Sequence, residues 1–338
     1  MTPLIDLHCD TLYRLANVPE RFFLPKKSAA SHLFYEGLLS SGSLLQCFAM
    51  FTDLCDPSSP TPLSSVRSQY DTFRRILALS KGKMVQVQNK SELLACKKDK
   101  KIGALLTMEE SCLSPAPVSL LPAFRSMGVR MATLTWDYHN LLATAANHTI
   151  PLSTPKISSL SSGLLQPVSK HPGLSPSGID YVCEAERLGI LIDVSHLSDA
   201  SFCDVARHSQ KPFLASHSNA RTVWNVPRNL SDAMLRIIAS RGGIVGLNLH
   251  EPFLGPSPSS PEQVLSFLVH HTKHILSVAG SDTPALGTDF DGAPGNAAIP
   301  DVTFLYRFEH ALRHSGFSSY QIEKIFYMNA FRFFRENL

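Results

Sequence analysis

The sequence has no Cys-x-x-Cys pair, although it contains seven cysteines. An odd number of cysteines without paired spacing is typical of neither a disulfide framework nor a thiolate zinc site, so we expect reduced thiols. The chain also lacks an apolar run of transmembrane length and a leader segment before its first strand-like run. These absences predict a cytoplasmic protein that does not contact a membrane.

Charged residues are scarce as well. Asp, Glu, Lys and Arg make up 17% of the 338 residues, and the net charge of +3 is spread along the chain without a basic block. This pattern argues against a nucleic-acid-binding surface and against a polybasic membrane patch. The composition instead favours a small neutral or zwitterionic substrate, and a hydrophobic content of 44% is sufficient for a large core.

What is present is an alternation of strand-like and helix-like segments. The apolar runs typical of buried parallel strands lie at residues 4–9, 43–51, 102–109, 129–136, 189–196, 212–218, 242–250 and 284–291. Amphipathic segments typical of helices lie between or after them, at residues 65–80, 178–189, 231–242, 261–280 and 318–338. Eight strands alternating with helices predict an α/β fold, a single (β/α)₈ TIM-type barrel that takes up residues 1–338 as one domain.

Two segments do not fit the alternation. The short run MVQVQ, residues 84–88, is a ninth strand candidate that we expect outside the barrel. Residues 148–178 are rich in Ser and Pro, so they predict an extended loop and not a long helix. Because this loop follows the fourth strand, we expect residues 148–172 to lie on the barrel rim as a cover that limits substrate length.

Six ionisable residues share one position in this pattern, the carboxyl end of a predicted strand: His8, Asp10, Glu109, His196, His217 and Asp289. The carboxyl ends of parallel barrel strands form one rim, where barrel active sites are built. Strand alternation also puts His8 and Asp10 on one face, with Cys9 on the other. Taken singly, each residue also fits a helix cap or a hydrogen-bonded core group, but the coincidence of six favours a shared site.

The ligand types on this rim indicate a metal centre. Three histidines with carboxylates and no thiolate suit a borderline divalent ion, zinc above all, with manganese, cobalt or iron as alternatives. A carboxylate can bridge two such ions, and Glu109 is the natural candidate. Two ions acidify a water molecule held between them, so hydroxide becomes available near neutral pH. Asp289 is a candidate acceptor for the proton of that water.

Ordered motifs along the chain support a more specific interpretation. They are LHCDT (7–11), LLTMEES (105–111), RLGILIDVSHLS (187–198), PFLASHSNAR with PRNLSD (212–232) and LGTDFDG (286–292). In these motifs the chain resembles the renal (membrane) dipeptidase family, the zinc dipeptidases of the amidohydrolase superfamily. The resemblance runs from Asp6 to the end of the chain.

The resemblance implies two Zn²⁺ ions per chain and a division of roles. One ion has the ligands His8, Asp10 and Glu109, and the other has the ligands Glu109, His196 and His217. Asp289 then handles the proton, and Arg228 binds the substrate carboxylate through its guanidinium fork. The implied activity is hydrolysis of dipeptides that have a free C-terminal carboxylate, by a hydroxide that bridges the metals.

The sequence departs from the family pattern at three places. Glu110 follows Glu109, where the family usually has glycine, and strand alternation lets only one of them face inward. Trp136 ends the fourth strand, where mammalian members have a histidine that polarises the scissile carbonyl; His139 is a candidate substitute, and the second metal acting alone is the alternative. His250 replaces a tyrosine that assists carboxylate binding, so we expect it, with Trp136, to contact the substrate.

Two alternatives to a dipeptidase stay open at this point. One is another amidohydrolase reaction at the same centre, such as opening of a cyclic amide or lactone, or a deamination, which would leave Arg228 without a role. The other is a non-catalytic binding protein that retains the site, although none of the six rim positions is lost. We expect small dipeptides as partners, no nucleic acid and no membrane, with a homodimer as the candidate assembly.

Ionisable residues away from the rim are expected to be structural or exposed. Asp193 lies two residues before Ser195, so it faces away from His196 and is interpreted as structural. The histidines expected on the surface, in polar helix-like segments, are His208, His270, His271, His274, His310 and His314.

Overall fold

A closed parallel sheet forms the centre of the fold in this computed structural model, which describes residues 2–26, 31–55, 61–147, 163–165 and 173–338. Its strands are β1 Leu4–Asp6, β2 Ser43–Phe51, β3 Met84–Gln86, β4 Ile102–Glu109, β5 Val129–Thr133, β6 Leu191–Asp193, β7 Val245–Leu247 and β8 Pro284–Leu286. Their order along the sheet is β6, β5, β4, β2, β1, β8, β7. Isolated parallel bridges join Leu214 to Asp193 and Ala215 to Val245, and these bridges close the ring between β7 and β6. The predicted α/β barrel is confirmed.

Strand β3 lies outside this ring. It pairs with residues 102–104, the first part of β4, whereas β5 pairs with residues 106–108 on the same edge of β4. The run MVQVQ therefore pairs with the start of β4, ahead of the residues that pair with β5, and it lies outside the barrel as predicted.

The barrel strands are shorter than the predicted apolar runs. β6, β7 and β8 have three residues each, and the strand predicted at 212–218 is reduced to the two bridges. For β6 and β8 the cause lies at the rim, where the backbone is left-handed at His196 and Asp289, with φ of 69° and 61°. Left-handed residues end a strand ladder. His196 and Asp289 therefore lie in the turns that follow their strands.

Helices surround the barrel. They are α1 Thr11–Arg14, α2 Tyr35–Ser40, α3 Pro62–Leu79, α4 Lys90–Asp99, α5 Leu121–Met127, α6 Pro176–Arg187, α7 Asp199–His208, α8 Asp232–Ser240, α9 Pro261–Ala279, α10 Leu305–His314, α11 Ser319–Glu323 and α12 Asn329–Asn337. A π-helical segment, Lys324–Met328, joins α11 to α12, and short 3₁₀ turns occupy Pro19–Phe23, Pro117–Leu120, Glu251–Phe253 and Val302–Phe304. In the part of the chain that the structure describes, no helix is long and apolar enough to cross a membrane.

Local sequence signals explain where the long helices begin. α3, α6 and α9 each start at a proline that follows a capping hydroxyl, on Thr61, Ser175 and Ser260. Each hydroxyl accepts a hydrogen bond from the backbone N–H three residues further on, which satisfies a donor that the helix leaves unpaired. Proline is favourable at the first helical position because its missing N–H is not needed there.

Apolar side chains are buried on both faces of the sheet. One cluster fills the barrel interior and includes Ile5, Leu45, Cys47, Leu105, Met131 and Leu191. The other lies between strands and helices and includes Leu4, Cys9, Phe48, Leu106, Phe73 and Tyr181. Because both faces are covered, the strands are apolar almost throughout. Cys9 thus points to the helix side while His8 and Asp10 face each other at the rim, with Nε2 and Oδ2 3.3 Å apart, as alternation predicted.

The Ser- and Pro-rich loop is described only in part. Its predicted cover segment, residues 148–172, lies outside the described residues except for 163–165. Within that short piece, Leu165 forms an isolated antiparallel bridge with Asn140.

One histidine that was expected on the surface is buried. His271 on α9 has no exposed surface; its Nδ1 accepts a hydrogen bond from the Ala220 N–H at 3.2 Å, and its Nε2–H donates to the Leu254 carbonyl at 2.9 Å. The prediction was wrong for this residue because Leu268 and Ile275, three residues before and four after, put His271 on the buried face of the helix. Burial lowers the pKa of His271 to about 4.

We expect acid to destabilise the fold through His271. The unfolded chain binds a proton at this ring below about pH 6.5, whereas the folded protein does so only near pH 4, where the new Nδ1–H would face the Ala220 N–H. The unfolded state therefore binds more protons in this window, and the free energy of unfolding should fall by about 1–3 kcal/mol as the pH drops through it. Urea titrations at several pH values measure this slope.

The matched control is the neighbouring histidine. His271→Gln should flatten the pH dependence between about pH 6.5 and 4, whereas His270→Gln, at an exposed position, should leave it unchanged. Equal slopes in wild type and His271→Gln would contradict the assignment.

Candidate functional site

The barrel rim holds a cavity of about 170 Å³. One part of its wall is formed by ionisable side chains, among them Asp10, Glu109, His196 and Asp289. Another part is aromatic, with Tyr13, Phe51, Trp136 and Phe253. The cavity therefore joins a charged end to an apolar wall, which is the usual character of a small-molecule site.

The first cluster of potential metal ligands is His8, Asp10 and Glu109. His8 Nε2 lies 3.3 Å from Asp10 Oδ2 and 3.3 Å from Glu109 Oε2, and all three side chains are buried. Asp10 precedes α1, but its side chain makes no capping hydrogen bond. Among the described residues, nothing hydrogen-bonds to its buried Oδ1. A buried carboxylate oxygen without a donor is costly unless a cation binds it.

The second cluster is Glu109, His196 and His217. Glu109 Oε1 lies 3.0 Å from His196 Nε2 and 3.5 Å from His217 Nε2. In each cluster the potential ligand atoms lie within 4.8 Å of one another. Glu109 belongs to both clusters and presents a different oxygen to each, which is the geometry of a bridging carboxylate.

The two histidines of the second cluster face each other through Nε2, at 2.9 Å. Their other ring nitrogens are engaged: His196 Nδ1 lies 2.9 Å from Asp137 Oδ1, and His217 Nδ1 lies 2.6 Å from Ser216 Oγ. A carboxylate only accepts hydrogen bonds, so Nδ1 of His196 carries the hydrogen and its neutral ring has a lone pair on Nε2. This lone pair faces His217 Nε2 and Glu109 Oε1, which favours a cation at that point.

Buried charges shift the pKa values of His8 and His217 in opposite directions. Burial lowers the pKa of His8, but the carboxylates of Glu109 and Asp10 outweigh it and hold that pKa well above its usual value. Burial and the positive charges of His8 and Arg228 lower the pKa of His217 far below its usual value. The first cluster thus attracts positive charge, and His217 of the second cluster favours the neutral imidazole that binds metals. Burial and the charge of Arg228 lower the pKa of His196, but hydrogen bonds to the carboxylates of Asp137 and Glu109 outweigh them and raise that pKa above its usual value.

Asp289 follows β8 and borders both clusters. Its carboxylate forms, with His8 and His217, a third group of potential ligands within 4.8 Å of one another. Its Oδ2 accepts a hydrogen bond from Asn248 Nδ2 at 3.0 Å, and burial raises the pKa of Asp289 above its usual value. This position suits a proton acceptor or an additional ligand.

Arg228 is a buried cation beside the cavity, with 3% of its surface exposed. Its Nη1 donates to Ser218 Oγ at 2.8 Å, and its Cζ lies 5.7 Å from the ring centre of the cavity residue Phe253. Its Nε and Nη2 have no hydrogen-bond partner within the described ranges of the chain. A buried guanidinium with two unused donors is suited to bind an anion.

Comparison with known families agrees with this geometry. The model of the membrane dipeptidase family, peptidase family M19, matches residues 1–337. The chain belongs to the membrane dipeptidase family. It is therefore a dipeptidase of the metallopeptidase type, an enzyme that hydrolyses a peptide bond.

Individual relatives cover most of the chain. A Klebsiella pneumoniae protein, described as an uncharacterised protein in the pqqA 5′ region, is 30% identical over 272 residues, which cover 80% of this chain and 95% of that protein. An uncharacterised dipeptidase of Schizosaccharomyces pombe is 30% identical over 319 residues, which cover 89% of this chain and 72% of the relative. The solved structure of dipeptidase AC, a metallopeptidase of family M19, is 27% identical with a TM-score of 0.85, covering 99% of this chain and 98% of that one.

Glu110, the residue after Glu109, directs its carboxylate away from the potential metal ligands. It occupies a left-handed position, which glycine adopts without strain. Its carboxylate accepts hydrogen bonds from Cys112 N at 2.7 Å, Asn140 Nδ2 at 2.8 Å and Trp136 N at 3.2 Å. Burial raises the pKa of Glu110 to about 7. Glu110 therefore holds the segment after β5 through Trp136 and Asn140. Of the two glutamates, only Glu109 faces the potential metal ligands.

The other predicted substrate contacts differ in position. Trp136 lines the cavity and packs edge-on against Phe51, with ring centres 4.9 Å apart. His250 also lines it and packs against Phe253 at 4.9 Å. His139 does not line the cavity; its Nδ1 accepts a hydrogen bond from the backbone of the loop after β5, at Ala145. Six of the predicted site residues line the cavity: Asp10, Glu109, Trp136, His196, His250 and Asp289. His8 and His217 lie in the ligand clusters, and Arg228 lies beside the cavity residue Phe253.

Sequence analysis missed three polar residues of the site: Asp137, Ser216 and Asn248. Asp137 hydrogen-bonds to His196, and Asn248 donates to Asp289. Asp137 follows Trp136, and Ser216 precedes His217, so both lie next to predicted site residues. Their position at predicted strand ends was the signal that could have identified them. Asn248 follows β7, a strand end for which we predicted no metal ligand.

Proposed function

We propose that the chain hydrolyses dipeptides that have a free C-terminal carboxylate, with two Zn²⁺ ions as cofactors. The observation that carries this proposal is the position of Glu109, which belongs to both ligand clusters. One ion would be held by His8, Asp10 and Glu109, and the other by Glu109, His196 and His217. Imidazole and carboxylate ligands without thiolate suit zinc. Bound there, the two ions would acidify a shared water molecule and polarise the scissile carbonyl.

Space around the first cluster supports a bound ion. Gly292 lines the cavity, and a Cβ atom at this position would collide with Asp10 Oδ2 and crowd Asp289 Oδ1. Glycine thus leaves both carboxylate oxygens accessible. The unpartnered Asp10 Oδ1 is consistent with the same conclusion.

We assign proton transfer to Asp289. Its Oδ2 is held by Asn248, which leaves Oδ1 as the oxygen that exchanges a proton. A half-buried carboxylate on the cavity wall, close to both clusters, is suited to take a proton from the attacking water and pass it to the leaving amine.

We assign recognition of the substrate carboxylate to Arg228. Its unused Nε and Nη2 donors form one edge of the guanidinium fork, which matches a carboxylate in two parallel hydrogen bonds. Trp136 and His250 on the cavity wall are the proposed contacts to the rest of the dipeptide. Another amidohydrolase reaction would give these buried donors no anion to bind.

We also propose a cytoplasmic location. All seven cysteines are free thiols, and burial raises the pKa of Cys9 and Cys47 well above the usual value, which keeps them protonated. Unpaired buried thiols are typical of proteins in a reducing compartment.

The bridging role of Glu109 can be tested by metal analysis. Glu109→Gln should reduce binding of both ions because each cluster loses a ligand, whereas His8→Ala should weaken mainly one. Elemental analysis after dialysis gives the ion count. Glu110→Gln is the matched control, since its carboxylate points away from the ligands. A single ion that survives Glu109→Gln would refute the bridge.

Asp289→Asn separates proton transfer from metal binding. If Asp289 transfers the proton, kcat should fall by about 10²–10⁴-fold while KM and metal content stay nearly unchanged. Steady-state kinetics and elemental analysis on the same preparation decide this. Loss of an ion in the variant would show that Asp289 is a ligand instead.

Carboxylate recognition can be tested with Arg228→Ala. Hydrogen bonds to charged groups contribute about 1.5–3 kcal/mol, so kcat/KM for a dipeptide should fall about 10- to 150-fold, and Arg228→Lys should recover only part of it. Arg187→Ala, at an exposed arginine paired with Glu184 on α6, is the control and should have little effect.

An amidated dipeptide tests the same contact on the wild-type enzyme, so the result does not depend on whether a variant folds. Wild type should disfavour the amide by a similar factor, and Arg228→Ala should scarcely distinguish acid from amide. Equal hydrolysis of acid and amide by wild type would remove the carboxylate from the proposal and favour another amidohydrolase reaction.

A further inference from the structure

A chain of hydrogen bonds runs from Asp193 through Ser216 to the ring of His217. Ser216 Oγ is in short contact with Asp193 Oδ2 and lies 2.6 Å from His217 Nδ1. All three side chains are at most 1% exposed. Asp193 lies at the end of β6, so the chain crosses from one barrel strand to the segment that carries the next ligand.

The partners of Asp193 fix the direction of every hydrogen bond in this chain. Its Oδ1 accepts from the backbone N–H groups of Ser195 at 3.0 Å and Ser216 at 2.9 Å. Its Oδ2 accepts from Thr133 Oγ1 at 3.0 Å and from Ser216 Oγ. Because a carboxylate only accepts, the Ser216 hydroxyl hydrogen points to Asp193. Ser216 Oγ must therefore accept from His217 Nδ1–H, and the lone pair of the ring lies on Nε2.

We propose that Asp193, acting through Ser216, is a positioning residue that holds His217 as the Nδ1–H tautomer and so presents Nε2 to the metal. The inference rests on the proposed function in treating His217 as a metal ligand. His196 receives the same support directly, because its Nδ1 contacts the Asp137 carboxylate without an intervening hydroxyl. A fixed tautomer and ring orientation raise metal affinity because neither has to be selected on binding.

Glycine residues allow close packing around the backbone of Ser216, whose hydroxyl links Asp193 to His217 and is called the relay below. A Cβ atom at Gly246 or at Gly287 would collide with the backbone carbonyl of Ser216. Because these two glycines have no side chain, β7 and the turn after β8 can pack directly against the Ser216 backbone. Next to this contact, Ser218 N donates to Gly246 O at 2.7 Å. The Ser216 backbone is therefore tightly packed, and its Oγ lies between Asp193 and His217, with Ser195 Oγ at 3.3 Å.

The substitution Asp193→Asn makes the sharpest prediction. The Oδ1 position receives two backbone N–H groups, so an asparagine must place its carbonyl oxygen there and its amide nitrogen at the Oδ2 position. The amide N–H then donates to Ser216 Oγ, whose own hydrogen turns to His217 Nδ1. Ser195 Oγ, 3.3 Å from Ser216 Oγ, is the other acceptor for this hydrogen, but His217 Nδ1 at 2.6 Å is the closer one. The ring therefore shifts towards the Nε2–H tautomer, which removes the lone pair from the metal side. Ser216→Ala only releases the tautomer, so Asp193→Asn should be the more damaging variant.

Zinc affinity, measured by competition with a chelator, is the first readout. Ser216→Ala should weaken one of the two ions about 10–100-fold, and Asp193→Asn should weaken it further. The double variant should resemble Ser216→Ala alone, because Asp193→Asn acts on the His217 ring only through the Ser216 hydroxyl. Thr133→Val is the matched control: it removes a buried hydrogen bond to the same carboxylate but leaves the relay intact, so affinity should not change.

The second readout is ¹⁵N NMR of histidine rings in the zinc-loaded wild type, which needs no variant to fold. It should show a slowly exchanging Nδ1–H on His217. An Nε2–H tautomer in wild type, or affinities for Ser216→Ala and Asp193→Asn that match Thr133→Val, would overturn the relay. A wild-type protein that holds fewer than two ions would instead refute the proposed function, so the two failures are distinguishable.

Discussion

The rest of the site depends on the carboxylate of Glu109, which lies between two groups of imidazoles. One oxygen faces His8, and the other faces His196 and His217. This placement is rigid because Glu109 ends β4, which pairs with β2 over seven consecutive residues up to Phe51. A shift of β4 by one residue would turn Glu109 to the helix side and break both clusters at once. The sheet register is therefore what holds the two potential metal sites at a fixed separation.

Glu110 and the segment that carries Trp136 form a single structural unit. Glu110 takes a left-handed conformation, which costs a residue with a side chain about 1–2 kcal/mol relative to glycine. Its carboxylate offsets this by accepting hydrogen bonds from Asn140 and from the backbone of Trp136. The same segment carries Asp137, which orients His196. Glu110 thus joins the end of β4 to the loop that puts an aromatic wall beside the cavity.

The sequence predicted the barrel and the rim cluster because both depend on local patterns: apolar runs, and ionisable residues at their ends. It did not predict strand lengths, since the left-handed turn at Asp289 ends the ladder early in a way that apolar composition does not reveal. The relay from Asp193 was missed because its hydroxyl partner lies on another strand, more than twenty residues away. His271 was misplaced for a different reason: its polarity was weighed above its spacing from Leu268 and Ile275, which already indicated a buried position.

The two histidines of the second cluster are supported in unequal ways. Asp137 lines the cavity, with 21% of its side chain exposed, so water and substrate can compete for the carboxylate that orients His196. Asp193 is 1% exposed, and neither it nor His217 is among the cavity-lining residues, so the orientation of His217 is isolated from the contents of the cavity. Hydrogen bonds in a buried polar network are stronger than exposed ones, provided that every member is satisfied. His217 therefore supplies the fixed side of the proposed metal site, and His196, although itself buried, is the ligand whose carboxylate partner is open to the cavity.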